Sequence, residues 1–159
     1  MGSRSKENLA YIAGFIDGDG SLMLQVKKRS DTKHGLRFMV TICLYQDSRH
    51  EKPLHWIRDV LKIGYVSKRC DGISELRING YKRGRDILVL LKPYFKFKKI
   101  QAKVLLEACK ILSSKPIQKL STREQKKLVD LVLVLQSENY VTKKKRSRKE
   151  LYKHLGLTP

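Results

Sequence analysis

Acidic residues are scarce in this chain. Fifteen Asp and Glu stand against thirty-five Lys and Arg among 159 residues, leaving a net charge of +20 and an isoelectric point near 10.1. That balance excludes a neutral surface and creates a positive field that attracts a polyanion, for which nucleic acid is the natural candidate. Cysteine is sparse as well. Cys43, Cys70 and Cys109 lie far apart without CxxC spacing or paired histidines, so neither a disulfide framework nor a zinc site is indicated. No apolar run approaches the roughly 18 residues of a membrane-spanning helix, and no signal peptide opens the chain, so an intracellular protein without a membrane partner is expected. No Ser, Cys or His arrangement suggests nucleophilic catalysis, and the Asp-Gly-Asp-Gly block at residues 17–20 is not repeated.

What is present is a periodic pattern long enough for one core. Residues 1–6 read as an N-terminal tail, 7–113 as the core and 114–159 as a basic helical extension. A first helix starts at Glu7 or Asn8, carries Leu9, Ile12, Phe15 and Ile16, and is stopped by Gly18 and Gly20. Ser21 to Arg29 and Arg37 to Tyr45 alternate apolar and polar residues and make a hairpin. Pro53 opens a helix with Leu54, Ile57, Val60 and Leu61 on one side. Tyr65 to Cys70 and Ile73 to Asn79 form a second hairpin around Asp71-Gly72. Helices near Gly84 to Leu91 and Lys98 to Leu112 follow. Beyond them, capping boxes at Ser121–Glu124 and Ser147–Glu150 announce two more. The expected class is α+β, with αββαββα order and C-terminal helices.

The most specific segment is Tyr11 to Ser21, which joins a small-residue helix seam (Ala10, Ala13, Gly14) to two carboxylates, Asp17 and Asp19, at an abrupt helix end. An EF-hand also begins Asp-x-Asp, but Leu22 stands where that loop needs Gly and Lys28 where it needs Glu. A plain helix-stop turn with solvated carboxylates is the bland alternative. The chemical reading starts from magnesium, which takes oxygen ligands, keeps several waters and binds through one or two carboxylates plus substrate phosphates. One Asp19 is too little for such a site. Packing the Gly14 faces of two identical helices across a two-fold axis brings two carboxylates together with backbone carbonyls.

Residues 12–20, IAGFIDGDG, resemble the signature of the LAGLIDADG homing endonucleases, with Ile12, Phe15 and Gly18 replacing Leu, Leu and Ala. The resemblance implies the same αββαββα fold with a curved, antiparallel four-stranded DNA-binding sheet backed by helices. A chain with one motif looks like the homodimeric type, which hydrolyses both strands of a long, pseudo-palindromic double-stranded DNA target with Mg2+ and leaves a staggered break; Mn2+ is expected to substitute. By the family's pattern Asp19 binds the metal with the carbonyl of Gly18, and Asp17 supports the helix end. Gln46, just after the second strand, matches the residue that positions metal-bound water. Lys98 matches the lysine in the basic stretch before the Gln101-Ala102 pair. The family often has an Arg four residues after that Gln; here His50 holds the place and Arg49 precedes it, and Arg49 is favoured by charge. Ala10, Ala13, Gly14 and Asp17 are the expected dimer face. An RNA-binding intron maturase, or a sequence-specific DNA binder without chemistry, is the alternative on this scaffold.

A strand of about nine residues spans roughly 30 Å, close to one turn of duplex, so the polar face of the sheet could follow a major groove. On the first hairpin that face holds Met23, Gln25, Lys27, Arg29, Arg37, Met39, Thr41 and Cys43. On the second it holds Tyr65, Ser67, Arg69, Glu75, Arg77 and Asn79. Arg suits guanine, Gln and Asn adenine, Glu the cytosine amino group, and Met and Thr the thymine methyl. Lys28, Lys33, Lys68, Lys82, Arg83, Lys115, Lys119 and the run from Lys143, Lys144 and Lys145 to Lys149 are expected to hold phosphates.

Overall fold

The computed structural model describes residues 3–28, 36–139 and 143–158; the side chains of Lys28 and Leu36 are not described. The chain runs α1 (Lys6–Asp19), β1 (Gly20–Lys28), β2 (Leu36–Asp47), α2 (Lys52–Leu61), β3 (Tyr65–Lys68), β4 (Ile73–Asn79), α3 (Tyr81–Leu91), α4 (Lys99–Ser114), α5 (Thr122–Glu138) and α6 (Arg148–Leu155). Short 3-10 turns at Ser48–His50, Lys92–Tyr94 and Ile117–Lys119 link some of these. The fold is α+β, and the 7–113 segment reads αββαββαα because α3 and α4 both fall within it.

The strands form one antiparallel sheet in the order β1-β2-β4-β3. Register pairs Leu22 with Ile42, Leu24 with Val40 and Ile42 with Ile78, so alternate apolar residues share one face. That face is buried against helices. Ile12 and Ile16 of α1, Leu54 and Ile57 of α2, Leu88 of α3 and Leu105 of α4 are fully buried in the same cluster as Leu22, Ile42 and Ile78. Each such side chain contributes about 1.5–3 kcal/mol through loss of water contact. Leu120, Leu128, Val129, Val132, Leu135 and Leu151 join this cluster, so the C-terminal segment and the αβ body share one core.

Three boundaries differ from the sequence reading, each for a physical reason. The N-cap of α1 is Ser5, whose Oγ accepts the Asn8 N–H at 3.2 Å, rather than Glu7 or Asn8. Helix α1 also continues through Gly18 and Asp19 and ends only at Gly20. Gly20 has ordinary extended angles, and its need for glycine comes from packing: a Cβ there would meet Ile16 Cα at 2.7 Å. Helix α3 begins at Tyr81, which places Gly84 inside it. A Cβ on Gly84 would meet Val40 Cγ1 at 2.9 Å, so glycine lets the helix lie close on the sheet. The two expected capping boxes, Ser121–Glu124 and Ser147–Glu150, are both formed.

Candidate active site and nucleic-acid interface

The end of α1 carries two carboxylates facing opposite ways. Asp17 is buried and accepts three backbone N–H groups, from Lys96 at 2.6 Å, Phe97 at 3.1 Å and Lys98 at 2.9 Å. These groups lie where the chain enters α4, whose N-cap, Lys98, supplies no side-chain cap of its own. Asp17 thus supplies an anionic cap to a helix some eighty residues away in sequence. Asp19, two residues on, is exposed, as is Gly18.

The same contact delivers Lys98. Its Nζ donates to the Asp17 carbonyl at 2.5 Å, which brings the ammonium to the end of α1. Burial pushes the Lys98 ammonium down from its ordinary range, while Asp17 and then Asp19 pull it the other way. Gln46 sits at the far end of β2, where its Oε1 accepts the Asp47 N–H at 3.0 Å, leaving its amide N–H groups for another partner. Gly20 of β1 pairs with Leu44 of β2, so Gln46 lies on the strand next to the α1 terminus, two residues past that pair.

Arg49 is engaged. Its guanidinium grips Asp47 through Nε at 3.0 Å and Nη2 at 2.8 Å, and Asp47 also caps the Ser48–His50 turn by accepting the Arg49 N–H at 2.9 Å. The Arg49 side chain holds the Asp47 carboxyl well below the usual carboxylate range. His50 is exposed. Sequence reasoning missed Asp47, though the Asp-x-Arg spacing beside the candidate Gln46 was a usable signal. It also missed Glu51, which accepts the Ser74 hydroxyl at 2.6 Å and pairs with Lys68 at 3.4 Å, tying the second hairpin to α2.

Among the described residues, no group of three or more His, Cys, Asp and Glu could hold a metal ion. One chain offers the exposed Asp19 carboxylate and the neighbouring Gly18 carbonyl. Both are hard oxygen donors suited to magnesium, and the set is too small to serve alone. The Asp17 oxygens are already committed to backbone.

The expected dimer face needs one correction. Ala10 and Gly14 are exposed, and a Cβ at Gly14 or Gly18 would meet nothing within 4 Å. Ala13 is fully buried in the protomer's own core and Asp17 is turned toward α4, so neither lies on the free face of α1. The open small-residue row is Ala10, Gly14 and Gly18. Tyr11, 60 % exposed, and Phe97, 82 % exposed, are large apolar side chains at either end of this region that the sequence reading did not single out.

The sheet face away from the helices carries the expected polar set in register: Gln25 opposite Met39, Met23 opposite Thr41, Thr41 opposite Asn79, Cys43 opposite Arg77 and Arg77 opposite Tyr65. Lys27, Arg37, Tyr65 and Arg69 are exposed, while Met23, Gln25, Met39, Ser67, Arg77 and Asn79 are half-buried. Thr41, Cys43 and Glu75, expected as base contacts, are instead buried beneath their neighbours. Thr41 Oγ1 donates to Asn79 Oδ1 at 2.8 Å, and Glu75 accepts from Arg77. Arg29 lies outside the described residues, as does Lys33. Lys143, Lys144 and Lys145 are exposed.

The structure is thus an α+β scaffold: an antiparallel sheet backed by helices on one face and open on the other, with a helix end that presents an exposed carboxylate near a lysine. A family model described as LAGLIDADG endonuclease matches residues 12–105. The chain belongs to that family. It is 34 % identical over 103 residues to DNA endonuclease I-CvuI of Chlorella vulgaris, an alignment covering 65 % of this chain and 64 % of that one. It is 32 % identical over 110 residues to DNA endonuclease I-CreI of Chlamydomonas reinhardtii, covering 69 % and 67 %. In sequence the chain therefore spans about two thirds of these relatives. The solved structure of I-CvuI in complex with the I-CreI target, with 2 mM Mg and the DNA not cleaved, superposes with a TM-score of 0.76 at 28 % identity over 97 % of this chain and 98 % of that one. The archaeal intron-encoded I-Vdi141I, complexed with DNA, shares the fold with a TM-score of 0.81 at 20 % identity.

Proposed function

We propose that this chain is a site-specific DNA homing endonuclease that works as a homodimer and hydrolyses both strands of a long, pseudo-palindromic double-stranded target to give a staggered break. The observation that carries the reading is the division of labour at the end of α1: Asp17 is consumed in capping α4, Asp19 is exposed, and Lys98 is drawn to the same point. A solvated helix stop would need none of these.

In this mechanism Asp19 and the Gly18 carbonyl of each protomer hold the cation, Mg2+ with Mn2+ as a substitute. When bound, that cation supplies a Lewis acid and a polarised water. Gln46 orients water through its free amide N–H groups without titrating. Lys98 offers a point charge to a nonbridging phosphate oxygen as negative charge builds there. Arg49, while its Nε and Nη2 hold Asp47, keeps both Nη1 N–H groups and the second on Nη2, and these can meet a phosphate oxygen at the site. The Ala10, Gly14 and Gly18 row admits the backbone of a second α1, and a two-fold axis along it doubles the carboxylates at the site. Lys143 to Lys145 supply sequence-independent affinity, and Lys27, Arg37 and Arg69 belong to the face that reads bases.

Among the described residues, no helix is long and apolar enough to cross a membrane. The competing readings are an intron-RNA-binding maturase and a DNA binder without chemistry. Incubating a plasmid library carrying candidate targets with magnesium, for the wild type and Asp19→Asn, separates them. The nuclease gives linear product that the variant lacks while the variant still retards the same duplex. Retardation of duplex or of intron RNA without scission by either protein contradicts the reading.

A further inference from the structure

On the open face of the sheet, one charged group is tied to a buried partner. Arg77 lies in the middle of the sheet, paired in register with Cys43 on one side and Tyr65 on the other. Its Nε donates to Glu75 Oε1 at 2.5 Å and its Nη2 to Glu75 Oε2 at 3.3 Å. Glu75 is itself buried, and its Oε2 lies 3.8 Å from the Sγ of Cys43, which is completely buried. Burial pushes the Cys43 thiol up, so it remains an S–H donor to that oxygen at neutral pH. The ion pairs at Arg69–Asp71, Arg58–Asp59 and Arg85–Asp86 join side chains that are each at least 39 % exposed, whereas the Glu75 side chain is 8 % exposed.

The geometry of a guanidinium turns this into a statement about sequence. Of its five N–H groups, Glu75 takes the one on Nε and one on Nη2, leaving both on Nη1 and the second on Nη2. Those remaining groups include the parallel Nη1/Nη2 pair on the edge away from Nε. In a major groove, two acceptors side by side are the O6 and N7 of guanine; adenine presents an acceptor beside a donor. A buried carboxylate that fixes the guanidinium also removes the rotamer freedom an exposed arginine loses on binding. Glu75, expected as a base contact for cytosine, is buried with each oxygen accepting from Arg77, which turns it away from a base.

Resting on the reading of this face as the DNA-reading surface, we propose that Arg77 specifies a guanine at one position of each half-site, and that Glu75, backed by Cys43, is the positioning residue that aims it. The neighbouring Thr41–Asn79 register pair, whose Asn79 Nδ2 donates to the Tyr65 hydroxyl at 3.3 Å, reads separately.

The test is a selection from duplex DNA with a randomised target, run twice: by binding in calcium and by scission in magnesium. The proteins are the wild type, Arg77→Gln, Arg77→Lys and Glu75→Gln, with thermal melts confirming the fold of each. The expected result is one position per half-site where wild type prefers guanine over adenine by about ten-fold, as a bidentate contact provides. Arg77→Gln loses the preference at that position alone, Arg77→Lys weakens it, and Glu75→Gln weakens it several-fold with the other positions unchanged. Should Arg77→Gln keep every base preference, Arg77 is a phosphate contact and the proposal is wrong. It is equally wrong if Glu75→Gln lowers affinity for all sequences alike. Arg77-dependent guanine selection without scission sustains this inference and sinks the nuclease; scission without it does the reverse. A wild type that retains no duplex at all overturns both.

Discussion

At the residue scale the two carboxylates of the motif have separable jobs. Asp17 belongs to stability, since its removal strands three part-buried backbone donors at the entry to α4. Asp17→Ala is expected to cost about 2–3 kcal/mol and lower the melting temperature by about 5–10 °C, whereas Asp19→Asn leaves it nearly unchanged and removes scission. Differential scanning calorimetry of both variants checks this; an Asp19 variant that melts as early as the Asp17 one contradicts the assignment. The cysteines give a second check on burial. Cys109 is pushed up to about 12 by burial and Cys43 is raised by the same cause, while Cys70 is exposed. Because the thiolate is the reactive form, one thiol per chain should react with a disulfide reagent at pH 8 in the native state and three in denaturant. Rapid labelling of Cys109 in the native protein would mean that α4 does not pack as described.

At the element scale, most of the fold was legible because its signals are local. Alternation of Leu22, Leu24 and Val26 with Met23 and Gln25 located β1 and its buried side, Asp71-Gly72 marked the second hairpin, and the two Ser-x-x-Glu boxes placed α5 and α6. What escaped depends on contacts distant in sequence. Nothing near Asp17 reveals that it caps α4, and nothing near Gly84 reveals that it lies inside a helix against Val40. Asp19 was legible from the paired carboxylates at the helix end, Gln46 and Lys98 were named through the family resemblance, and the structure adds the contact that draws Lys98 to the end of α1. The burial of Thr41, Cys43 and Glu75 on a face expected to be open was illegible because neighbouring side chains on that face cover them. Gly84→Ala tests the helix–sheet contact directly. A Cβ at 2.9 Å from Val40 Cγ1 forces α3 outward, and the expected cost is about 1–3 kcal/mol by denaturant titration. Stabilisation, the usual result of Gly→Ala at an open helical position, would contradict it.

At the scale of the whole molecule the charge of +20 and the single motif govern behaviour. Replacing Lys143, Lys144 and Lys145 together by Ala should weaken DNA binding uniformly across sequences and reduce the slope of log affinity against log salt by up to about 3, one per lost phosphate contact. An unchanged slope would assign that run to solvent.

The central claim is that the catalytic site exists only where two protomers meet, each bringing one Asp19. It is tested most directly by co-expressing wild-type chains with Asp19→Asn chains in known ratios and measuring double-strand scission of the selected target. The account predicts activity that falls as the square of the wild-type fraction, about one quarter of full activity for an equal mixture, because only pairs with both carboxylates cut both strands. Activity that falls in simple proportion to the wild-type fraction would show that each chain cuts alone, and would contradict it.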